Sequence, residues 1–103
     1  MIGLGGIHAE ILRDVVLLPA DTHAAEIEER LGELRGAALL RGARGEPPRD
    51  VRALAEAAAR IGALIIATPE IGEIEVNPLI VHAQGEGAVA VDALVARTPA
   101  QEE

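Results

Sequence analysis

Hydrophobic and polar residues follow two different periods along this chain, and the change of period separates helices from strands. Apolar residues recur at intervals of three and four between residues 21 and 34, and again between 49 and 67. This spacing places them on one face of a helix. The first helix has Asp21 or Thr22 as its candidate cap, and Pro69 stops the second. The sequence therefore predicts two amphipathic helices, the first ending near Leu34 and the second at Ala67.

The remaining apolar positions have the pattern of strands. Residues 7–18 are predicted to be extended chain, and residues 73–81 alternate so that Ile74 and Val76 point to one face. A glycine-containing loop at residues 82–87 then leads into a second strand that contains residues 89–92. An antiparallel hairpin backed by two helices on one face predicts an α+β fold, a two-layer sandwich with a mainly antiparallel sheet.

The register of this hairpin decides which polar side chains meet. If the hairpin is symmetric about residues 84–85, Asn77 lies opposite Asp92, and their Cβ atoms are about 4.5–5.5 Å apart on one face. Glu75 is two residues away on the same face. The three side chains form an oxygen-rich cluster of the kind that suits Mg²⁺. A slip of one residue would move Asp92 to the other face.

A second interpretation of the same pattern stays open. Acidic residues on alternate strand positions are also typical of an ordinary solvated sheet face. Asn77 and Pro78 do not favour a regular strand, so a cause other than propensity is expected to hold them there. Because Pro78 has no N–H for the ladder, a bulge or a sheet edge is predicted at this point.

Composition excludes several functional classes. The net charge of −8 and the absence of aromatic residues argue against nucleic-acid binding, which uses clustered cations and stacking platforms. Without cysteine or serine, the chain has no thiol nucleophile, no zinc–thiolate site and no serine-based triad. No apolar run approaches the ~18 residues of a membrane span. We expect one cytoplasmic domain over residues 1–103, with residues 98–103 frayed.

At the hairpin the chain resembles a known family. Residues 75–79, together with 91–93, resemble the metal-binding end of the ATP-grasp domain. The likeness is greatest to ADP-forming acyl-CoA synthetases, which are the acetate–CoA ligases, and to their relative succinyl-CoA synthetase. Residues 3–15 resemble another segment of that domain, and residues 34–36 and 40–48 resemble the segment that connects the two.

The resemblance implies an activity and a set of ligands. Such enzymes form acyl-CoA and release ADP and phosphate from a carboxylic acid, CoA and ATP, or run the reverse reaction. It implies that the oxygen-rich cluster holds Mg²⁺ against the ATP phosphates. It also implies that part of the glycine-rich start borders those phosphates, although the residues by themselves favour a turn leading into a strand or close backbone packing as the reason for the glycines. These nucleotide-binding candidates are Gly5, Gly6 and Glu10.

The resemblance also implies what the chain does not supply. The lysine and glycine-rich loop that hold the triphosphate belong to the first half of an ATP-grasp domain, and this chain contains no lysine. His8, His23 and His82 match no phosphate-carrying histidine motif, so no catalytic residue is assigned. We expect a partial ATP-grasp domain that does not turn over alone. Its expected partners are the missing half and the CoA-binding domain of the synthetase.

A function of another class remains as an alternative. The rest of an ATP-grasp domain would normally cover the sheet face and the first strand. In this chain that surface would be exposed and would serve as a noncatalytic interaction module. In that case the chain forms a homodimer or recruits a partner through exposed apolar surface.

Overall fold

The computed structural model describes residues 1–5 and 13–99. The described helices are α1 (Ala24–Leu31), α2 (Ala37–Leu40) and α3 (Val51–Ala67), with a 3₁₀ turn at Ala43–Gly45. The described strands are β1 (Ile2–Gly3), β2 (Val15–Val16), β3 (Ile71–Val76), β4 (Leu79–Val81), β5 (Ala88–Ala90) and β6 (Ala93–Arg97).

The strands pair as three antiparallel couples: β1 with β2, β3 with β6, and β4 with β5. The α+β class and the antiparallel pairing predicted from the sequence are confirmed. The pairing differs in detail, because the described strands form three two-stranded ladders instead of one continuous sheet. Helix α3 packs against β3 and β4, and it thereby holds the C-terminal hairpin on the helical layer.

The hydrophobic core lies between α1 and α3. The two helices pack against each other, and the side chain of Leu31 on α1 is only 1% exposed. Alanine on α3 allows the helices to approach closely, since Ala55 is also 1% exposed. The buried members of the core are Val16, Ile27, Leu31, Leu34, Ala37 and Ala55.

The first helix is shorter than the sequence predicts. It begins after His23, which makes no side-chain cap. Thr22, a predicted cap, instead donates its hydroxyl to Pro19 O at 2.6 Å, so its side chain serves the preceding turn. The helix ends at Leu31, and the chain to Leu34 continues as turns. The predicted end at Leu34 was therefore wrong.

A long-range contact explains this early end. Asp14 accepts the N–H groups of Arg35 and Gly36, each at 2.7 Å. Gly36 is the N-cap residue of α2 instead of the end of the first helix, and the Asp14 carboxylate pairs the backbone N–H groups just before α2. The second predicted helix is confirmed as α3, and Asp50 caps it by accepting the N–H of Ala53 at 3.2 Å.

The N-terminal part of the chain departs from the predicted long strand. Within predicted residues 7–18, the described strand is Val15–Val16, and residues 6–12 lie outside the described part. Of the two structural explanations predicted for this glycine, a turn before the strand or close backbone packing, the structure supports close packing, because Gly3 lies within β1, paired with Val15. A Cβ at Gly3 would collide with the side chain of Val15, so close packing between the strands accounts for this glycine. None of the described helices is long and apolar enough to cross a membrane.

Candidate metal site

The hairpin adopts the register predicted from the sequence. The β3–β6 ladder ends at the pair Val76 and Ala93. One residue further along, the N–H of Asn77 donates to Asp92 O at 3.0 Å. Asn77 therefore lies opposite Asp92, as the symmetric hairpin requires.

An irregularity follows at Pro78, as predicted from its missing N–H. The regular ladders stop at Val76 and resume at Leu79, and the Asn77–Pro78 peptide bond between them is cis. The carbonyl of Pro78 still accepts the N–H of Val91 at 3.1 Å. The strands therefore stay in register across the break, although the regular ladder is interrupted beside Asn77.

The three predicted ligands line one concavity. Glu75, Asn77 and Asp92 border a volume of about 220 Å³, together with Ala93 and Leu94. All three polar side chains are exposed. Asp92 Oδ1 accepts the N–H of Ala93 at 2.9 Å, and this bond orients the carboxylate. The predicted cluster thus exists as a juxtaposition of oxygen donors, and metal binding by it stays a prediction.

The donor set fits Mg²⁺ shared with another ligand. Two carboxylates and one amide oxygen are hard donors, and Mg²⁺ commonly takes one or two carboxylates together with waters and phosphate oxygens. Within residues 1–5 and 13–99, no group of three or more His, Cys, Asp or Glu side chains could enclose an ion. If the cluster held Mg²⁺, it would therefore supply only some of the ligands and would leave positions for phosphate oxygens and water.

The other sequence candidates contribute little described geometry. Gly6 and Glu10 lie outside the described residues, so their proximity to the cluster stays a prediction. Gly5 is exposed, and among the described residues other than its chain neighbours a Cβ there would meet no heavy atom within 4 Å. Among the histidines, His8 is also outside the described part, and His23 precedes α1.

A larger concavity of about 410 Å³ lies on another part of the surface. Most of its lining is aliphatic, and its charged residues are Glu46 and Arg49, whose closest N and O atoms are 3.9 Å apart. An ion there would meet one carboxylate beside a competing cation. The smaller concavity is the better metal candidate because its polar lining consists of oxygen donors.

One contact at the tip of the hairpin was not predicted from the sequence. Besides capping α3, Asp50 accepts the N–H of Gly87 at 2.8 Å through Oδ2. The hydrogen bonds from Gly87 and then Ala53 lower the pKa of the Asp50 carboxyl below its usual value. An aspartate before an apolar helical stripe signals a cap, but no local pattern signals a partner 37 residues away.

Comparison with known proteins now decides the family. The family model of the ATP-grasp domain matches residues 1–96. The chain belongs to the ATP-grasp family. The resemblance seen in the sequence is thereby confirmed for nearly the whole chain, and the hairpin with its oxygen cluster lies within the matched region.

Relatives of this ATP-grasp chain include several CoA ligases. It is 47% identical over 93 residues to a trans-feruloyl-CoA synthase of an unknown prokaryotic organism. It is 41% identical over 93 residues to the acetate–CoA ligase (ADP-forming) I subunit beta of Pyrococcus furiosus. The matches cover 90% of this chain in both cases, but 13% of the first relative and 39% of the second.

A solved structure agrees with these matches. Acetyl-coenzyme A synthetase 1 of Ca. Korarchaeum cryptofilum, in complex with coenzyme A and Mg-AMPPCP, superposes with a TM-score of 0.85 at 33% identity. The alignment covers 93% of this chain and 44% of that one. The ATP-grasp chain thus spans less than half the length of these three relatives.

Proposed function

We propose that this chain is the ATP- and Mg²⁺-binding portion of an ADP-forming acyl-CoA synthetase. The observation that carries the proposal is the convergence of Glu75, Asn77 and Asp92 in one concavity, within a domain of the ATP-grasp family. The solved relative that contains Mg-AMPPCP supports the choice of nucleotide and metal. The activity belongs to the assembled enzyme, and we propose that the isolated chain does not turn over.

The chemistry of the cluster follows from charge. In phosphoryl transfer, bound Mg²⁺ neutralises charge that develops on the phosphate oxygens. The carboxylates of Glu75 and Asp92 would attract the cation, and Asn77 would add a neutral oxygen. Because the chain carries a net charge of −8, a polyphosphate would approach it unfavourably without such a cation.

Metal binding by the chain itself tests this function. We would titrate the full chain with Mn²⁺ as a stand-in for Mg²⁺ and measure free Mn²⁺ by electron paramagnetic resonance. Asp92→Asn and Asn77→Ala should each weaken binding by at least about tenfold, because even groups that only orient metal ligands are typically worth about 10–100-fold.

Glu73→Gln provides the matched control. Glu73 is an exposed carboxylate on the same strand as Glu75, and it does not line the concavity. Its substitution removes the same charge and should leave Mn²⁺ affinity nearly unchanged. Equal losses for Glu73→Gln and Asp92→Asn would show nonspecific attraction to an acidic surface, and the proposed site would be rejected.

The requirement for the rest of the enzyme can be tested by reconstitution. Mixing the chain with a separately produced N-terminal half of an ATP-grasp domain should restore Mg-ATP binding. The double variant Asn77→Ala with Asp92→Ala should abolish that gain. If the reconstituted complex bound Mg-ATP equally well with both substitutions, the assignment of these residues would fail.

Exposed apolar residues on the hairpin favour a second candidate function, namely a noncatalytic interaction or oligomerisation module. Two cross-strand neighbours, Ile80 and Val89, are 44% and 52% exposed. Three further large apolar residues of the hairpin are more than half exposed: Val91, Leu94 and Val95. Apolar surface of this kind commonly marks a contact with another protein.

The two candidates predict different behaviour in solution. A self-associating module should be a dimer by size-exclusion chromatography with light scattering, and Val89→Asp should make it monomeric. A synthetase portion that lacks its partner should show a concentration-independent monomer mass and bind Mn²⁺. A stable monomer would therefore reject the dimer candidate, and the metal titration would decide the first one.

A further inference from the structure

The tip of the hairpin is completed by a residue from outside it. His82 and Gly87 form the last pair of the hairpin, and His82 N–H donates to Gly87 O at 3.0 Å. A hydrogen-bonded antiparallel pair normally exchanges two such bonds. Here the N–H of Gly87 donates to Asp50 Oδ2 at 2.8 Å, and the carbonyl of His82 accepts the N–H of Asp50 at 2.8 Å. Asp50 thus takes the place of the second bond.

The residues before Asp50 extend this contact. The N–H of Gln84 donates to Pro48 O at 2.9 Å, and Arg49 forms an isolated antiparallel bridge with Ala83. The other carboxylate oxygen of Asp50 caps α3 through the N–H of Ala53. One side chain therefore joins the first turn of α3 to the tip of the hairpin. We call these contacts of Asp50 with His82 and Gly87 the Asp50 link.

The hairpin needs such an anchor because its own pairing is short. The β4–β5 ladder has three residue pairs, and the irregularity at Pro78 separates it from the β3–β6 ladder. An isolated two-stranded hairpin is marginally stable in water. A slip of one residue would reverse the faces of all its side chains, including that of Asp92.

We infer that Asp50 is a positioning residue that fixes the register in which Asn77 faces Asp92. The predicted effect of Asp50 on metal affinity rests on the proposed function of the oxygen cluster. The register itself can be measured independently of any metal. Asp50 does not line the concavity, so its effect on metal binding would be indirect.

The test uses a substitution that separates the two roles of Asp50. In the full chain, Asp50→Ser keeps a good helix cap but is too short to retain the bond to Gly87. Asp50→Ala removes both. We would measure amide hydrogen exchange at Asn77 and Val91, whose N–H groups bond across the strands, and at Ala58 within α3. Mn²⁺ affinity would be measured on the same samples.

Asp50→Ser should lose protection at Asn77 and Val91 while Ala58 keeps its wild-type exchange rate. Mn²⁺ affinity should then fall about tenfold, the lower end of the range for groups that orient metal ligands. Unchanged exchange rates at Asn77 and Val91 would overturn the inference. An equal increase of the exchange rate at Ala58 would also overturn it, because it would indicate only a loss of global stability. If the wild-type chain bound no Mn²⁺, the proposed function would fail while the exchange rates still decided the role of Asp50.

Discussion

At the scale of single residues, carboxylates in this chain organise the backbone as well as the candidate site. Asp14 and Asp50 each use both oxygens to accept backbone N–H groups, and the two oxygens of Asp50 serve different elements. Such bonds satisfy donors that a helix or hairpin cannot pair internally. Partly buried carboxylates of this kind can therefore determine where elements begin and how they meet.

The lowered pKa of Asp50 predicts a dependence of stability on pH. The folded pKa lies below the unfolded value of about 3.9, so the ionised form stabilises the fold. This contribution is fully present above the unfolded pKa and is lost as the pH falls through the folded pKa.

Asp50→Asn should be less stable than wild type at pH 7, and the difference should shrink below about pH 4. Urea unfolding followed by circular dichroism at pH 7, 4 and 2.5 would measure it. A difference independent of pH would contradict this role of the charge.

The candidate cluster was predictable because its geometry is local. A glycine-containing loop at residues 82–87 between two strand-like segments suffices to set Asn77 opposite Asp92 when the hairpin is symmetric. The bond between Asp50 and Gly87 was not predictable, because it joins residues 37 apart and each has an ordinary local explanation. Asp50 is a normal helix cap, and Gly87 is a glycine in a turn with φ of +81°.

At the scale of elements, α3 is the helix whose position depends most on one small residue. Gly62 is buried in α3 directly against the backbone of Ala20. A Cβ at this position would collide with the carbonyl of Ala20. The glycine weakens the helix intrinsically but permits the chain before α1 to lie against α3.

Gly62→Ala should therefore destabilise the protein despite alanine's better helix propensity. Propensity alone would give a gain of about 1 kcal/mol. Insertion of a methyl group against a backbone that cannot move freely typically costs about 1–3 kcal/mol. Urea unfolding would show the sign. Ala63→Gly, at the exposed neighbouring position, measures the propensity difference alone. A stabilised Gly62→Ala variant would show that the backbone at Ala20 can shift at little cost in free energy.

The helices also show why some boundaries follow from sequence and others do not. Helix α3 begins beside Asp50 and ends near Pro69, in agreement with the periodicity over residues 49–67 and the proline stop, so local rules sufficed for both ends. The end of α1 and the start of α2 depend on Asp14, which is 22 residues away from Gly36. Periodicity continued through Leu34 because that side chain is buried in the core, although the backbone there is no longer helical.

At the scale of the whole molecule, the chain is elongated and its buried core does not extend into the C-terminal hairpin. The Cα radius of gyration is 14.7 Å, compared with about 13 Å for a compact domain of this length. The buried core residues come from β2, α1, α2, α3 and the turn at Leu34. The C-terminal hairpin contributes none of them. It is held through α3 and the Asp50 link.

This distribution predicts that the hairpin unfolds together with the helical core. Leu31→Ala should remove about 2–5 kcal/mol of unfolding free energy, because Leu31 is 1% exposed at the centre of the core. Leu64→Ala, at a 52% exposed position on α3, is the matched control and should cost much less.

Since the chain has no aromatic residues, amide NMR signals of Glu75 and Ala58 would report hairpin and helix during urea unfolding. Both signals should shift to the same lower midpoint in Leu31→Ala, because a two-stranded hairpin is marginal without its support. A Glu75 signal that survived beyond the loss of Ala58 would show that the hairpin, with its oxygen cluster, is an independent folding unit.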